Sequence, residues 1–359
     1  MRLRENLIAA SMRRWRRSDP GGRGPRRYKP ERVMPGIMSW IIYGVGFLLI
    51  VFGVLYLGRD VILRPWTARQ WTGAAAIGEV VYVFGGQDVS SDEGLMDEVL
   101  AFDLDGHDVR IVGTLPWPAY RPQVCACDGR LYVLGGSYGI DYFSEILAFD
   151  PESGEFTVAG QLPSGRALGG AVQAKDTIYY VGGRDRSTYL DEVVAFDPAT
   201  GESHVVAHLP TGVYSPAVTT IADRLYVIGG EHYAEAGIAR SDRILEIDLG
   251  TGAVTRTATL PSARSWTAAA AIGDDIYVFG GWVGEPLDDI IRISTDSTGL
   301  EVEVVGKLER PMARHIVVTI DDHLVLIGGD ITARQRELPV IEIDPETLDE
   351  TTHRFRGSV

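Results

Sequence analysis

Six times along the chain, a run of alternating bulky apolar residues stops at two glycines. The runs are Val81-Tyr-Val-Phe-Gly-Gly86, Leu131-Tyr-Val-Leu-Gly-Gly136, Ile178-Tyr-Tyr-Val-Gly-Gly183, Leu225-Tyr-Val-Ile-Gly-Gly230, Ile276-Tyr-Val-Phe-Gly-Gly281 and Leu324-Val-Leu-Ile-Gly-Gly329. The first glycines follow one another at steps of 50, 47, 47, 51 and 48 residues. β-Branched and aromatic residues in short runs predict buried strands, and the glycines permit a backbone turn that a side chain would obstruct. A period of this length, built from strands without helices, predicts propeller blades rather than solenoid turns. A single blade leaves both faces of a small sheet exposed, so only a closed ring buries them.

The fifth repeat serves as the template for a blade. Strands are predicted over Ser265–Ile272, Ile276–Gly281, Leu287–Ser294 and Leu300–Val305, with a tight turn at Gly273-Asp-Asp275. The first repeat aligns with it without a gap, Arg69-Gln-Trp-Thr-Gly-Ala-Ala-Ala-Ile-Gly78 beside Arg264-Ser-Trp-Thr-Ala-Ala-Ala-Ala-Ile-Gly273. Third and fourth strands are joined by Asp150-Pro-Glu-Ser-Gly154, Asp197-Pro-Ala-Thr-Gly201 and Asp248-Leu-Gly-Thr-Gly252. In such turns Asp accepts from the turn backbone, Pro presets φ and Gly takes the left-handed position. These aspartates are turn chemistry, not catalysts.

Charge divides the chain. Residues 1–32 hold eleven Arg or Lys against three Asp or Glu, and no charge occurs from Val33 to Gly58. With a net charge of −15 overall and +8 in the tail, the remainder carries −23. That field repels nucleic acid and bare anionic membrane. The 26-residue uncharged run is long enough for one transmembrane helix with some tilt, and Trp40 and Tyr56 sit near its ends where amphipathic rings favour the interface. A cleaved signal peptide fits less well, because the basic region is long and no small-x-small site follows. The arginines on the N-terminal side predict a cytoplasmic tail and an extracytoplasmic C-terminal domain, with the tail disordered and able to meet anionic inner-leaflet lipid. A tail that serves only as a topology signal is the alternative.

The expected organisation is therefore 1–32 basic tail, 33–58 transmembrane helix, 59–68 linker and 69–359 six-bladed propeller. Blades fall at about 69–114, 115–161, 162–208, 209–259, 260–307 and 308–357. Cys125 and Cys127 lie two apart on one predicted strand, where a mutual disulfide is geometrically poor and a buried core role fits better. No second metal half-site follows them. A single Asn and three Lys against 31 Arg point to a GC-rich bacterial coding sequence.

The glycine pairs, an Arg about twelve residues before the glycine-bearing strand, and a Leu-Pro at the blade exit resemble the kelch repeat family over roughly residues 66–356. The fourth-strand tryptophan of that pattern is missing, with Val158, Val206 or Val305 nearby, so thinner outer packing is expected. Each blade reads as one continuous segment, which predicts closure by packing alone, without a strand crossing the seam. The resemblance implies that the loops after the glycine pairs and those entering the innermost strands share one ligand-carrying face.

Ten residues before each glycine-bearing strand stand Trp71, Arg121, Leu168, Ser215, Trp266 and Arg314. Around the ring, blades 5, 6, 1 and 2 then present Trp266, Arg314, Trp71 and Arg121 as an alternating arc at the channel mouth. Arg69, Arg166 and Arg264 stand two residues earlier. Trp282, Arg184, Arg186, Arg334 and Arg336 come from the loops after the glycines. Guanidinium forks suit carboxylates and indoles give stacking surfaces, so Arg69, Trp71, Arg121, Arg166, Arg264, Trp266, Trp282 and Arg314 are candidate binding residues. The candidate partner is a membrane or membrane-proximal protein, or an anionic glycan-like ligand. The simpler reading is that the arginines tie blades through Asp and Glu while the tryptophans fill core. The ten-residue linker reaches at most about 33 Å and favours a membrane-proximal partner.

The loop Gly230-Glu-His-Tyr-Ala-Glu-Ala-Gly-Ile-Ala-Arg240 is similar to the Glu-to-Arg loop of six-bladed bacterial sialic-acid mutarotases. That likeness makes Glu231 the proton-transfer carboxylate and Arg240 the substrate clamp, with His232 beside them. Copper-radical oxidases share the fold, but the seven histidines are scattered and none pairs with Tyr or Cys at ligand spacing. Phosphate-loop, Gly-x-Ser-x-Gly and zinc motifs are missing, and Asp88, Asp92, Glu93 and Asp141 match no calcium loop. No cofactor or metal is expected. The sequence thus predicts a membrane-anchored binding or scaffold module, with a sugar mutarotase as the rival.

Overall fold

The computed structural model describes residues 69–88, 94–235, 237–297, 299–329 and 338–357. The basic tail, the apolar run 33–58, the linker, Asp92, Glu93, Arg334 and Arg336 lie outside the described residues. Among the described residues no helix is long and apolar enough to cross a membrane.

The domain is an all-β propeller of six sheets. Blade 1 comprises Gly73–Ile77, Val80–Phe84, Glu98–Asp103 and Asp108–Thr114, each antiparallel to the next. The other innermost strands are Gln123–Cys127, Gly170–Ala174, Ala217–Ile221, Ala268–Ile272 and His315–Ile320. Each packs on its two neighbours around the ring. Small residues allow this approach to the axis: blade 1 supplies Gly73 to Ala76 and blade 5 supplies Ala268 to Ala271. The core lies between blades. Val81, Val83, Leu100 and Phe102 of blade 1, for example, pack with Val325 and Ile327 of blade 6.

The glycine pairs join one blade to the next. Gly86 N donates to Ala119 O at 3.0 Å, Gly183 N to Val213 O at 2.8 Å, Gly230 N to Arg264 O at 2.9 Å and Gly281 N to Met312 O at 2.9 Å. Each acceptor lies just before the innermost strand of the following blade. The first glycine of a pair must be left-handed to present the second, and its α-carbon lies against the same carbonyl. A β-carbon on Gly85, at φ +57°, would stand 2.7 Å from Ala119 O.

Turn chemistry follows the sequence. Asp150 Oδ1 accepts from Glu152 N at 2.9 Å, Asp197 Oδ1 from Ala199 N at 2.8 Å and Asp248 Oδ1 from Thr251 N at 2.9 Å. Cys125 and Cys127 are buried free thiols, and burial pushes the Cys125 thiol up to about 12. The outer strands are thinly covered where a tryptophan is missing, leaving Ile111, Val158 and Val304 exposed. Part of that space is filled from the next blade. Gly113 faces Phe149 and Gly160 faces Phe196, each so closely that a β-carbon would stand within 2.7 Å of the ring.

Closure differs from the expectation of packing alone. Arg356–Gly357 crosses the seam and pairs in parallel with Asp108 and Val109, making the blade 1 sheet five-stranded. The edge of the outermost strand offers unpaired N–H and C=O groups. Phe355 holds the crossing segment there, its ring 5.0 Å from Phe102 and 6.1 Å from His353.

Candidate functional site

The innermost and second strands of every blade are antiparallel, so the loops after the glycines and the entries to the innermost strands share one end of the ring, here called the upper face. The entry residue of a blade pairs with the residue after its glycines: Gln70 with Gln87, Tyr120 with Ser137, Ala167 with Arg184, Tyr214 with Glu231 and Ser265 with Trp282. This second tier of pairing fixes the next residue. Trp71, Arg121, Leu168, Ser215, Trp266 and Arg314 all adopt left-handed φ between 49° and 63°. Their main chains are linked across blades: Arg121 N donates to Trp71 O at 2.9 Å, Ser215 N to Leu168 O at 2.8 Å and Arg314 N to Trp266 O at 2.9 Å. Six non-glycine residues in a costly conformation hold because this bonding over-determines them.

Their side chains pack together over the channel. Trp71 and Trp266 meet edge to face with centroids 5.0 Å apart. The Arg121 guanidinium lies 4.7 Å from the Trp71 ring and 4.3 Å from Trp266, and that of Arg314 lies 4.9 Å from Trp71 and 4.8 Å from Trp282. Each cation–π contact is worth about 0.5–2 kcal/mol. The aromatic layer continues in both directions. Tyr120 lies 5.2 Å from Trp71, Tyr214 lies 5.3 Å from Trp266, and Tyr189 stacks between Tyr214 at 4.9 Å and Tyr233 at 4.2 Å. Burial pushes the Tyr120 and Tyr214 hydroxyls up, and Arg121 pulls both back.

Arg69, Arg166 and Arg264 do not join this layer, which corrects their assignment as binding residues. All three are buried, each pairing with a carboxylate at its own blade's third strand: Arg69 with Glu98 at 2.9 Å, Arg166 with Glu192 at 2.7 Å and Arg264 with Asp289 at 2.6 Å. Arg264 also donates to Gly280 O at 2.9 Å, and burial lowers the Arg69 pKa while Glu98 raises it. Two residues before the left-handed position, the chain aims its side chain into the blade, beneath the loop that the glycines begin. Blades 2, 4 and 6 hold Ala119, Val213 and Met312 there. These pairs lie within blades, not between neighbours.

Two hairpins rise from the upper face on either side of blade 3. Blade 2 contributes Ser137–Tyr138 paired with Asp141–Tyr142, and blade 4 contributes Glu231–Ala234 paired with Gly237–Arg240. Their tips are apolar and open, with Ile140 78% and Ile238 61% exposed and Tyr138 and Tyr233 beside them. Between them Arg186 pairs with Asp141. Glu231 and Arg240 are cross-strand partners in the second hairpin. Glu231 Oε1 accepts from Ser265 Oγ at 2.8 Å, and Arg240 Nη1 donates to Val283 O at 3.3 Å, while its buried Nε meets no hydrogen-bonding group among the described residues. His232, half-buried, pairs with Ala239.

Below the layer runs a channel of about 430 Å³, lined by the innermost strands and by Arg121, Ser215, Trp266 and His315, but not by Glu231 or Arg240. His315 is buried, and burial, with Arg121 nearby, lowers its pKa from 6.5 to about 4. The folded state therefore resists protonation while the unfolded chain accepts it. The stability held above pH 6.5 is expected to drain away as pH falls through 6.5 towards 4. Unfolding free energy measured across that window should lose part of its slope in His315→Leu. Identical slopes in both proteins would refute the assignment.

The KLHDC2/KLHL20/DRC7 Kelch-repeats domain matches the sequence over residues 62–230 and again over 158–329, together more than half of the chain. The chain belongs to the kelch-repeat family. The solved structure of YjhT is similar at 18% identity, covering 80% of this chain and 98% of that one with a TM-score of 0.65, a likeness of fold. No curated protein sequence matches the chain. Among the described residues of this kelch protein, no three His, Cys, Asp or Glu groups gather where they could hold a metal ion. Sequence spacing found the Trp71, Arg121, Trp266 and Arg314 cluster but missed Tyr120, Tyr189, Tyr214, Tyr233 and His315. Tyr120 and Tyr214 precede the left-handed residues directly, a signal that could have flagged them.

Proposed function

We propose that this kelch protein is a binding module whose upper face takes a protein or glycan partner, anchored to the cell membrane through residues 33–58 with the propeller outside the cytoplasm. The observation that carries the reading is the pair of hairpins with bare apolar tips, Tyr138 and Ile140 on one and Tyr233 and Ile238 on the other. They flank an aromatic and guanidinium layer on a domain otherwise rich in acid. Apolar groups clustered on loops above a rigid scaffold mark recognition surfaces, and aromatic and arginine residues dominate the energetics of such contacts. The mutarotase reading is less favoured, because Glu231 is engaged by Ser265 and both Glu231 and Arg240 stand apart from the channel wall.

Ile140→Glu and Ile238→Glu should reduce partner co-purification from membranes at least tenfold while leaving the melting temperature unchanged. Undiminished capture would contradict the reading. The enzyme alternative is decided by NMR anomer exchange with N-acetylneuraminate, where acceleration by wild type but not Glu231→Gln would establish it. The proposed topology predicts that protease added outside intact cells removes the propeller. Cleavage only from the cytosolic side would reverse it.

A further inference from the structure

The rings of the upper face form one unbroken row. Tyr120 touches Trp71, Trp71 touches Trp266, Trp266 touches Tyr214, Tyr214 touches Tyr189 and Tyr189 touches Tyr233, with centroids 4.2 to 5.3 Å apart at every step. Tyr142, from the blade 2 hairpin, packs against the same cluster. Blades 1 to 5 all contribute, and the row runs into the hairpin of blade 4 at Tyr233, whose ring is exposed.

The independent observation concerns the hydroxyls. Tyrosines inside the blades are matched by the protein: Tyr180 Oη accepts from Gly169 N at 3.2 Å, Tyr226 Oη donates to Glu246 at 3.1 Å and Tyr277 Oη to Pro345 O at 3.2 Å. Those of the row are not. Among the described residues, the hydroxyls of Tyr120, Tyr142, Tyr189 and Tyr214 meet no hydrogen-bonding group, and each oxygen keeps accessible surface although its ring is half-buried or buried. Burial pushes the Tyr120, Tyr189 and Tyr214 hydroxyls up, so they stay protonated and able to donate. The guanidiniums are largely engaged instead: Arg121 lies on two indoles and donates to Ser215 Oγ at 3.5 Å, and Arg186 pairs with Asp141. The face offers aromatic surface and O–H donors more than charge.

We propose that the aromatic row takes a proline-rich segment of the partner in the polyproline II conformation. The proposal rests on the reading of the upper face as a recognition surface and names what that surface recognises. Proline-rich segments dock on aromatic-lined surfaces, and their extended helix is preformed, so little ordering is needed on binding. Such a chain has no internal hydrogen bonds and its prolines lack N–H groups, so it brings carbonyl acceptors and calls for donors. The tyrosine hydroxyls supply them. A sugar chain brings donors as well as acceptors, and Glu231, the bridge partner of Tyr214, already accepts from Ser265 Oγ. An acidic segment would compete for guanidiniums that the indoles, Ser215 and Asp141 already hold.

The test uses the full chain in detergent micelles and fluorescence anisotropy. Fluorescein-labelled decaproline should bind saturably, whereas labelled decamers of glutamate and of alternating glycine and serine, and labelled cellohexaose, should not. Tyr120→Phe combined with Tyr214→Phe keeps both rings and removes two donors. Its affinity for decaproline should fall about tenfold, with the melting temperature held, because neither hydroxyl has a protein partner to lose. No saturation by decaproline, saturation by the glutamate decamer or cellohexaose in its place, or unchanged affinity in the double variant would overturn the proposal. If decaproline fails while Ile140→Glu and Ile238→Glu still abolish partner capture, the face remains a recognition surface of another chemistry. Capture that survives those two substitutions defeats the broader reading, whatever decaproline does.

Discussion

Gly85→Ala is expected to destabilise the propeller far more than Gly78→Ala, although the two glycines share almost the same backbone angle, φ +57° and +54°. At Gly78 an added β-carbon meets nothing within 4 Å, so the cost is the left-handed conformation itself, roughly 1–2 kcal/mol. At Gly85 the same atom would lie 2.7 Å from Ala119 O. That carbonyl cannot simply withdraw, because Gly86 N donates to it at 3.0 Å. The variant must separate blades 1 and 2 or lose their bond, adding overpacking of about 1–3 kcal/mol and a hydrogen bond of about 1 kcal/mol. Urea unfolding of the two variants measures the difference directly. Equal losses would mean that the glycine pair does not join the blades.

Arg264→Met should cost about 3–5 kcal/mol, since it leaves a largely buried carboxylate without its partner. Asp289 is 18% exposed and takes both its charge-assisted bonds from this guanidinium, at 2.6 and 2.7 Å. The same side chain also holds Gly280 O at 2.9 Å and Ser262 Oγ at 2.8 Å. Arg264→Lys is expected to recover little, because an ammonium cannot serve both carboxylate oxygens and the glycine carbonyl from one plane. The double variant Arg264→Met, Asp289→Leu should regain most of the loss, as the unpaired charge is gone. A double-mutant cycle in chemical unfolding reads all three. A mild effect of Arg264→Met alone would mean that the buried ion pair does not hold the blade together.

The fold was legible because its determinants are local and repeated. Each glycine pair marks a strand end, and each Asp turn marks a return. The glycines carried more than a turn, however, and their bonds to the next blade depend on a carbonyl some thirty residues further on. The arginines misled for a related reason. Arg69 and Trp71 are two residues apart in sequence, yet the left-handed residue Trp71 turns the chain so that one is buried in the blade and the other meets the channel mouth. Spacing alone cannot register that rotation. The seam strand was hidden because Arg356–Gly357 carries no strand signature of its own and is placed by the tertiary contact of Phe355 with Phe102. Tyr189 and Tyr233 belong to neighbouring blades, and only the packing of one blade on the next brings them to 4.2 Å.

If the upper face, and not the opposite end of the ring, receives the partner, contact in intact cells will map to that face alone. Photo-activatable side chains placed at Ile140 and Ile238, and at Glu152 and Thr200 in exposed turns of the lower face, test it in intact cells. Discrete cross-linked species from the first two positions and none from the second two is the predicted result. Cross-links arising from Glu152 and Thr200 alone would contradict it.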